Sequence, residues 1–175
     1  MVDTLNSIGN ASENEIMKES RIGLDGKWDL EIGLWFESSL TKLDANIYSL
    51  PRMQDSWNLG ADYTFGIGSG LGMTLEYFRV HSGDQILING KTIHLIGCLF
   101  TYPFSILDNV STMVFYLPDQ NLLYNYLSWS RTYDNWSFYT IVYWNPDNSQ
   151  LITLQSQGKN LFAGKGIQLM VNYNF

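Results

Sequence analysis

The chain has 175 residues, with 10 Lys+Arg against 17 Asp+Glu for a formal net charge of −7, and 45% of it is apolar. That length fits one domain, the apolar content argues against intrinsic disorder, and the acidic balance argues against nucleic acid as a partner. Charged residues are only 15%, where a soluble domain carries roughly 25%, and aromatics also reach 15%, so something other than water wets part of this surface.

A single cysteine, Cys98, leaves no internal disulfide and no cysteine-based zinc site. Gly, Pro, Asn, Ser and Thr interrupt every uncharged stretch, so no run approaches the roughly 20 apolar residues of a spanning helix. The opening MVDTLNSIGNASENEIMKES lacks the basic and apolar regions of a secretory signal. It reads as a poorly ordered segment over 1–20, or part of a truncated strand, ahead of one domain over 21–175. Either the protein stays inside the cell, or this chain is not the whole precursor. Only 13–20 offers a helix pattern, and it is short.

From Arg21 to Glu37 every charge is odd-numbered: Arg21, Asp25, Lys27, Asp29, Glu31 and Glu37. The even positions hold Ile22, Leu24, Trp28, Leu30, Ile32, Leu34 and Phe36. A 3.6-residue period cannot do this, so the segment is extended, with two chemically distinct faces. The alternation recurs in 42–49, where Lys42 and Asp44 oppose Leu43 and Ala45, in 57–67, in 71–77, and in 166–175. Segments 91–102, 110–117, 122–132 and 136–145 alternate less cleanly but are rich in β-branched and aromatic residues, which favour strands. Turn signals fall at Ser38-Ser39, 66–72, Asn89-Gly90, 103–109, 118–121, Asp134-Asn135 and 145–149. The reading is an all-β antiparallel meander of about nine or ten strands.

A sheet with one polar and one apolar face is either a soluble barrel with a dry inside or a membrane barrel with a dry outside. Segments 92–102, 110–117, 136–145 and 166–175 contain no Asp, Glu, Lys or Arg, although a soluble barrel needs a charged exterior. In hydrocarbon a Lys or Arg on the exposed face costs roughly 2–4 kcal/mol at the midplane, which removes charges from that side first. Aromatics then belong at strand ends, and Trp57, Trp136, Trp144, Tyr102, Tyr133, Tyr173 and Phe175 fall there. The fold expectation is an up-and-down transmembrane β-barrel, since bilayers leave no water to satisfy an open edge.

The ending IQLMVNYNF resembles the closing strand of bacterial outer-membrane β-barrel proteins, with a terminal Phe, an aromatic two residues earlier and apolar alternates further back. Leu169, Val171, Tyr173 and Phe175 match that pattern. The resemblance implies a Gram-negative outer membrane, a porin-like barrel, outer-membrane lipid as a partner, and reading of these four residues by the barrel-assembly machinery. It is specific over the last ten residues and general over 21–165.

Counting back from a periplasmic C-terminus gives nine strands, with the chain entering the first from outside. Single-chain bacterial barrels have even strand numbers. Either 13–24 supplies a tenth strand through an Asp25-Gly26 turn, or the chain is the C-terminal part of a longer barrel. The second is preferred, because Met1 opens onto neither a signal nor a strand.

No catalytic constellation stands out, so no enzyme, cofactor or metal site is expected. His94 reads as a lumen or interface residue. Gly66, Gly68, Gly70 and Gly72 read as a sharply bent hairpin, since a dinucleotide fingerprint would have to open a helix. Asp29, Glu31, Lys42, Asp44, Asp62 and Glu76 are the lumen-facing candidates. Acidic side chains raise the local cation concentration, which implies passive diffusion of small polar solutes or ions with mild cation preference. The alternatives are a small closed barrel with a structural or adhesive role, its interior filled by side chains, and a soluble lipocalin-like barrel that buries Leu30, Ile32, Leu59 and Val171. An outer-membrane lipase-type barrel is disfavoured by the lack of a Ser/His pairing.

Overall fold

The computed structural model describes residues 18–44, 52–86, 88–147 and 163–175. They form nine strands: β1 (Lys18–Asp29), β2 (Gly33–Asp44), β3 (Met53–Phe65), β4 (Leu71–Gln85), β5 (Ile88–Pro103), β6 (Asp108–Leu117), β7 (Leu122–Tyr133), β8 (Trp136–Trp144) and β9 (Lys165–Tyr173). Each pairs antiparallel with its neighbours in chain order, so the described strands form one up-and-down sheet. The sheet is open, with β1 and β9 as its edges.

From β3 onward the strands fall where alternation and composition place them, and the first two differ. The stretch 27–37 is not one strand: the chain turns at 30–32, and Asp29 pairs with Gly33. Asp25 and Gly26 lie inside β1, and Ser38-Ser39 lie inside β2. A loop with an odd number of residues keeps odd positions paired with odd ones, so the alternation runs through the turn unbroken and hides it. Residues 42–44 finish β2, while the rest of the expected 42–49 segment lies outside the described residues. Of the 13–24 segment, the described part belongs to β1, which begins ahead of the 20/21 boundary.

The hairpin expected at Asn89-Gly90 turns earlier in the chain, with Gln85 paired to Ile88. Asn89 keeps the left-handed φ of 51° that suggested a turn, but at a position where the ladder skips a pair. At 66–70, Gly68 and Gly70 take φ of 59° and 103°, which L side chains rarely adopt. A single 3-10 turn, Pro118–Gln120, links β6 to β7.

The turns therefore sort by end. The segments 30–32, 66–70, 104–107 and 134–135 lie at one end, here called the turn end. The ends of β2 and β3 at Asp44 and Met53, of β4 and β5 at Gln85 and Ile88, of β6 and β7 at Leu117 and Leu122, and of β8 and β9 at Trp144 and Lys165 lie at the other, the loop end.

No conventional core exists among the described residues, where only Leu117 and Tyr124 are buried hydrophobics. Large apolar side chains stand in the open, including Ile22 at 69%, Leu30 at 76% and Leu169 at 73% exposure.

Candidate functional site

Directly opposite residues in an antiparallel ladder share a face, so the registers sort every strand. One face takes Ile22, Leu24 and Trp28 from β1, Leu34, Phe36 and Leu40 from β2, and Trp57 to Phe65 at odd positions from β3. It continues with Leu71, Met73, Leu75 and Tyr77 on β4 and Ile96, Cys98, Phe100 and Tyr102 on β5. Then come Val110, Val114 and Tyr116, Leu123, Leu127 and Trp129, Trp136, Phe138 and Val142, and Ile167, Leu169, Val171 and Tyr173. Ser38, Thr112, Asn125 and Thr140 interrupt this band, and no charge does.

The band slants across the sheet. The row holding Trp28, at the turn end of β1, passes through Leu34, Ala61, Leu75, Cys98, Val114 and Asn125. It reaches Trp144 and Lys165 at the loop end of β8 and β9. Lys165 and Tyr173 are eight residues apart, and eight strand steps separate β1 from β9, so the band shifts one residue per strand. With a rise of about 3.4 Å per residue against a spacing of about 4.8 Å per strand, its strands lean about 35° from the band's normal.

The opposite face is polar but uneven. Its paired rows on β1 to β5 carry Glu19, Asp25, Asp29, Glu37, Asp62 and Glu76 against Arg21, Lys27 and Lys91. On β6 to β9 the same face carries Ser111, Ser128, Ser130, Tyr126, Tyr139, Tyr143, Gln168 and Asn172, with no charge on its paired rows. Arg21 pairs with Glu19 at 2.8 Å and Lys27 with Asp29 at 3.0 Å. Asp25, Glu37, Asp62 and Glu76 form no ion pair among the described residues.

Asp25 and Glu37 are direct cross-strand partners, a like-charge juxtaposition that is destabilising on its own. They line a groove of about 420 Å³ with Gly23, Ser39, Ser56, Asn58 and Phe78, in which the Ser39 and Ser56 hydroxyls hydrogen-bond at 2.8 Å. Glu76 sits between two glycines, Gly60 and Gly97. The Trp35 indole fills the space beside Gly60, and the Phe115 ring fills that beside Gly97. Further along, Phe78, Leu95, Leu99, Met113 and Phe115 form an apolar patch that ends at buried Leu117 and Tyr124.

Of the residues named as lumen-facing candidates, Asp29, Asp62 and Glu76 share the polar face, whereas Glu31 and Lys42 do not join them. Glu31 lies in the 30–32 turn. Lys42 faces the apolar side, in register with Ser20 and Met53, because it continues β2 rather than opening a new strand. Asp44 pairs in register with Lys18, and its side chain lies outside the described part. Asp25 and Glu37 belong with the acidic group, and their odd numbering was the available signal. Leu169, Val171 and Tyr173 lie on the apolar face of β9, and Tyr173 contacts the rings of Trp136 and Phe175.

Past the loop end of the band, the apolar face turns polar. Asp55, opposite His81, is 5% exposed and forms an ion pair with Arg79. His81 is 2% exposed, and its Nδ1 lies 2.8 Å from the Thr92 hydroxyl. Asp55 Oδ1 and His81 Nε2 have no hydrogen-bond partner among the described residues. Nearby, His94 Nδ1 meets the Tyr77 hydroxyl at 2.7 Å, and its backbone N–H donates to Asp119 Oδ2. This cluster appears in the sequence only as a change of character at positions 79 and 81, where the odd-numbered apolar run of β4 gives way to charge.

Among the described residues no group of three or more His, Cys, Asp or Glu could hold a metal ion. Among the described residues no helix is long and apolar enough to cross a membrane. Comparison with protein-family models, curated proteins and solved structures finds no match.

Proposed function

We propose that this sheet is the wall of a porin-like β-barrel in a bacterial outer membrane, passing small polar solutes and ions with cations preferred. The slanted apolar band carries the reading. Strands in a barrel lean 35–45° from the axis, so a hydrocarbon slab perpendicular to that axis demands an uncharged stripe oblique to the strands at that angle. A soluble lipocalin-like barrel would instead bury Leu30, Ile32, Leu59 and Val171, and these are 47–76% exposed. Trp57, Tyr77, Tyr116 and Trp144 border the band at the loop end and Trp28, Tyr102, Trp136 and Tyr173 at the turn end, as aromatic girdles do. The short 30–32, 66–70, 104–107 and 134–135 turns then face the periplasm.

Asp25, Glu37, Asp62 and Glu76, left without cations, give the interior its cation preference. The inner patch from Phe78 to Leu117 favours the second reading, a small closed barrel with its interior partly filled and a structural or adhesive role.

Two measurements test this. The protein should remain in the membrane fraction until detergent is added, and solubility without detergent defeats both readings. In planar bilayers it should conduct, with K⁺ permeating better than Cl⁻, and Asp25→Asn/Glu37→Gln/Asp62→Asn/Glu76→Gln should abolish that preference. Membrane insertion without conductance leaves the closed barrel.

A further inference from the structure

The two ends of the apolar band differ in charge. At the turn end the apolar face continues into Leu30, Ile67 and Phe104, all exposed, and its strand residues there include one ion pair, Arg131 with Asp108. At the loop end, Lys42 follows Leu40 at the next position on that face, Lys165 precedes Ile167, and Lys18 lies beyond Ser20 and Ile22. All three lysines are exposed; Lys42 and Lys165 form no ion pair with a described side chain, and Lys18 stands opposite Asp44 in register.

We infer that the loop end of the barrel binds phosphate-bearing lipid headgroups through Lys18, Lys42 and Lys165. The inference rests on the membrane reading above. A lysine just past an apolar band lays its methylene stem on hydrocarbon and lifts its ammonium to the headgroups. There an uncompensated cation meets its complement in lipid phosphate, and each lysine near an anionic surface contributes a severalfold preference. The three lie on β1, β2 and β9, so they bracket the two free edges. Apart from Asp44, the paired carboxylates of this face are held by arginines, Asp55 by Arg79 and Asp108 by Arg131, and the other acidic side chains of the paired rows lie on the opposite face.

The test folds the full chain into vesicles of phosphatidylcholine and into vesicles of phosphatidylcholine with phosphatidic acid, reading the inserted fraction against lipid concentration. The wild type should enter both, prefer the anionic vesicles on the order of 100-fold, and lose the preference in high salt. Lys18→Gln/Lys42→Gln/Lys165→Gln should enter phosphatidylcholine as the wild type does, without the anionic preference. Insertion with equal affinity for both vesicles, or a preference that survives the triple substitution, overturns this inference and leaves the barrel standing. A wild type that enters neither vesicle removes the barrel and the inference together.

Discussion

At the scale of single residues, two contacts bear on how the sheet holds. Asp55 and Arg79 are an ion pair with both side chains largely buried, at 6% and 17% exposure. Breaking such a pair from one side leaves a charge without its counter-ion and costs about 3–5 kcal/mol. Asp55→Ala should therefore lower the unfolding free energy, measured by urea denaturation of the refolded protein, by that amount. The double substitution Asp55→Leu/Arg79→Met, which removes both charges, should recover most of it. Gly60 is the second contact: a side chain there would overlap the Trp35 indole, and neither residue could shift without disturbing the row through Glu76. Gly60→Val should cost about 1–3 kcal/mol by overpacking. Trp35→Ala in the same chain should return part of that loss, measured in the same denaturation assay. Neither pairing was legible in the sequence, because Asp55–Arg79 and Trp35–Gly60 depend on a register that no local pattern specifies.

At the scale of the strand, alternation is the property the sequence carries most plainly. Period-2 patterning assigns each residue to a face without knowledge of register. That is why Asp29, Asp62 and Glu76 could be grouped before any pairing was known. It fails where strand limits matter. The 30–32 turn preserves parity and so leaves no trace in the pattern, and Lys42 lies on the apolar side because β2 runs on through it instead of a new strand beginning there. Neighbouring positions on β3 test the face assignment directly. Leu59 lies within the apolar band, and Asn58 pairs with Glu37 on the polar face. Leu59→Arg should reduce folding into phosphatidylcholine vesicles by about 2–4 kcal/mol, the cost of a cation in hydrocarbon. Asn58→Arg should be tolerated, because it gains a carboxylate neighbour in Glu37. Equal costs at the two positions would mean that both faces meet the same solvent.

At the scale of the whole molecule, the open edges set the remaining constraint. Eight antiparallel steps make β1 and β9 run in the same direction. Their exposed apolar side chains, Leu24 on β1 and Leu169 on β9, lie within the same band. Under the proposed membrane reading, unpaired backbone groups in hydrocarbon would cost several kcal/mol each, so the gap would have to be filled. Direct closure would form a parallel seam, whereas an odd number of strands laid between the edges keeps every pairing antiparallel. A second copy in the same membrane orientation offers only edges of the same direction, so antiparallel filling has to come from a strand running the other way. The two forms of closure differ in distance. Adjacent strands place Cα atoms within the 4.4–6.8 Å that a disulfide requires, and one intervening strand moves the edges to about 10 Å apart. In a Cys98→Ala background, Leu24→Cys combined in turn with Ile167→Cys, Leu169→Cys and Val171→Cys should give no disulfide under oxidation. A thiol cross-linker of about 10 Å should join one of these pairs if a single strand intervenes, and its failure would mean three strands or more. A disulfide in any of the three would establish the parallel seam and overturn antiparallel filling, while leaving the slanted band, and the membrane it fits, untouched.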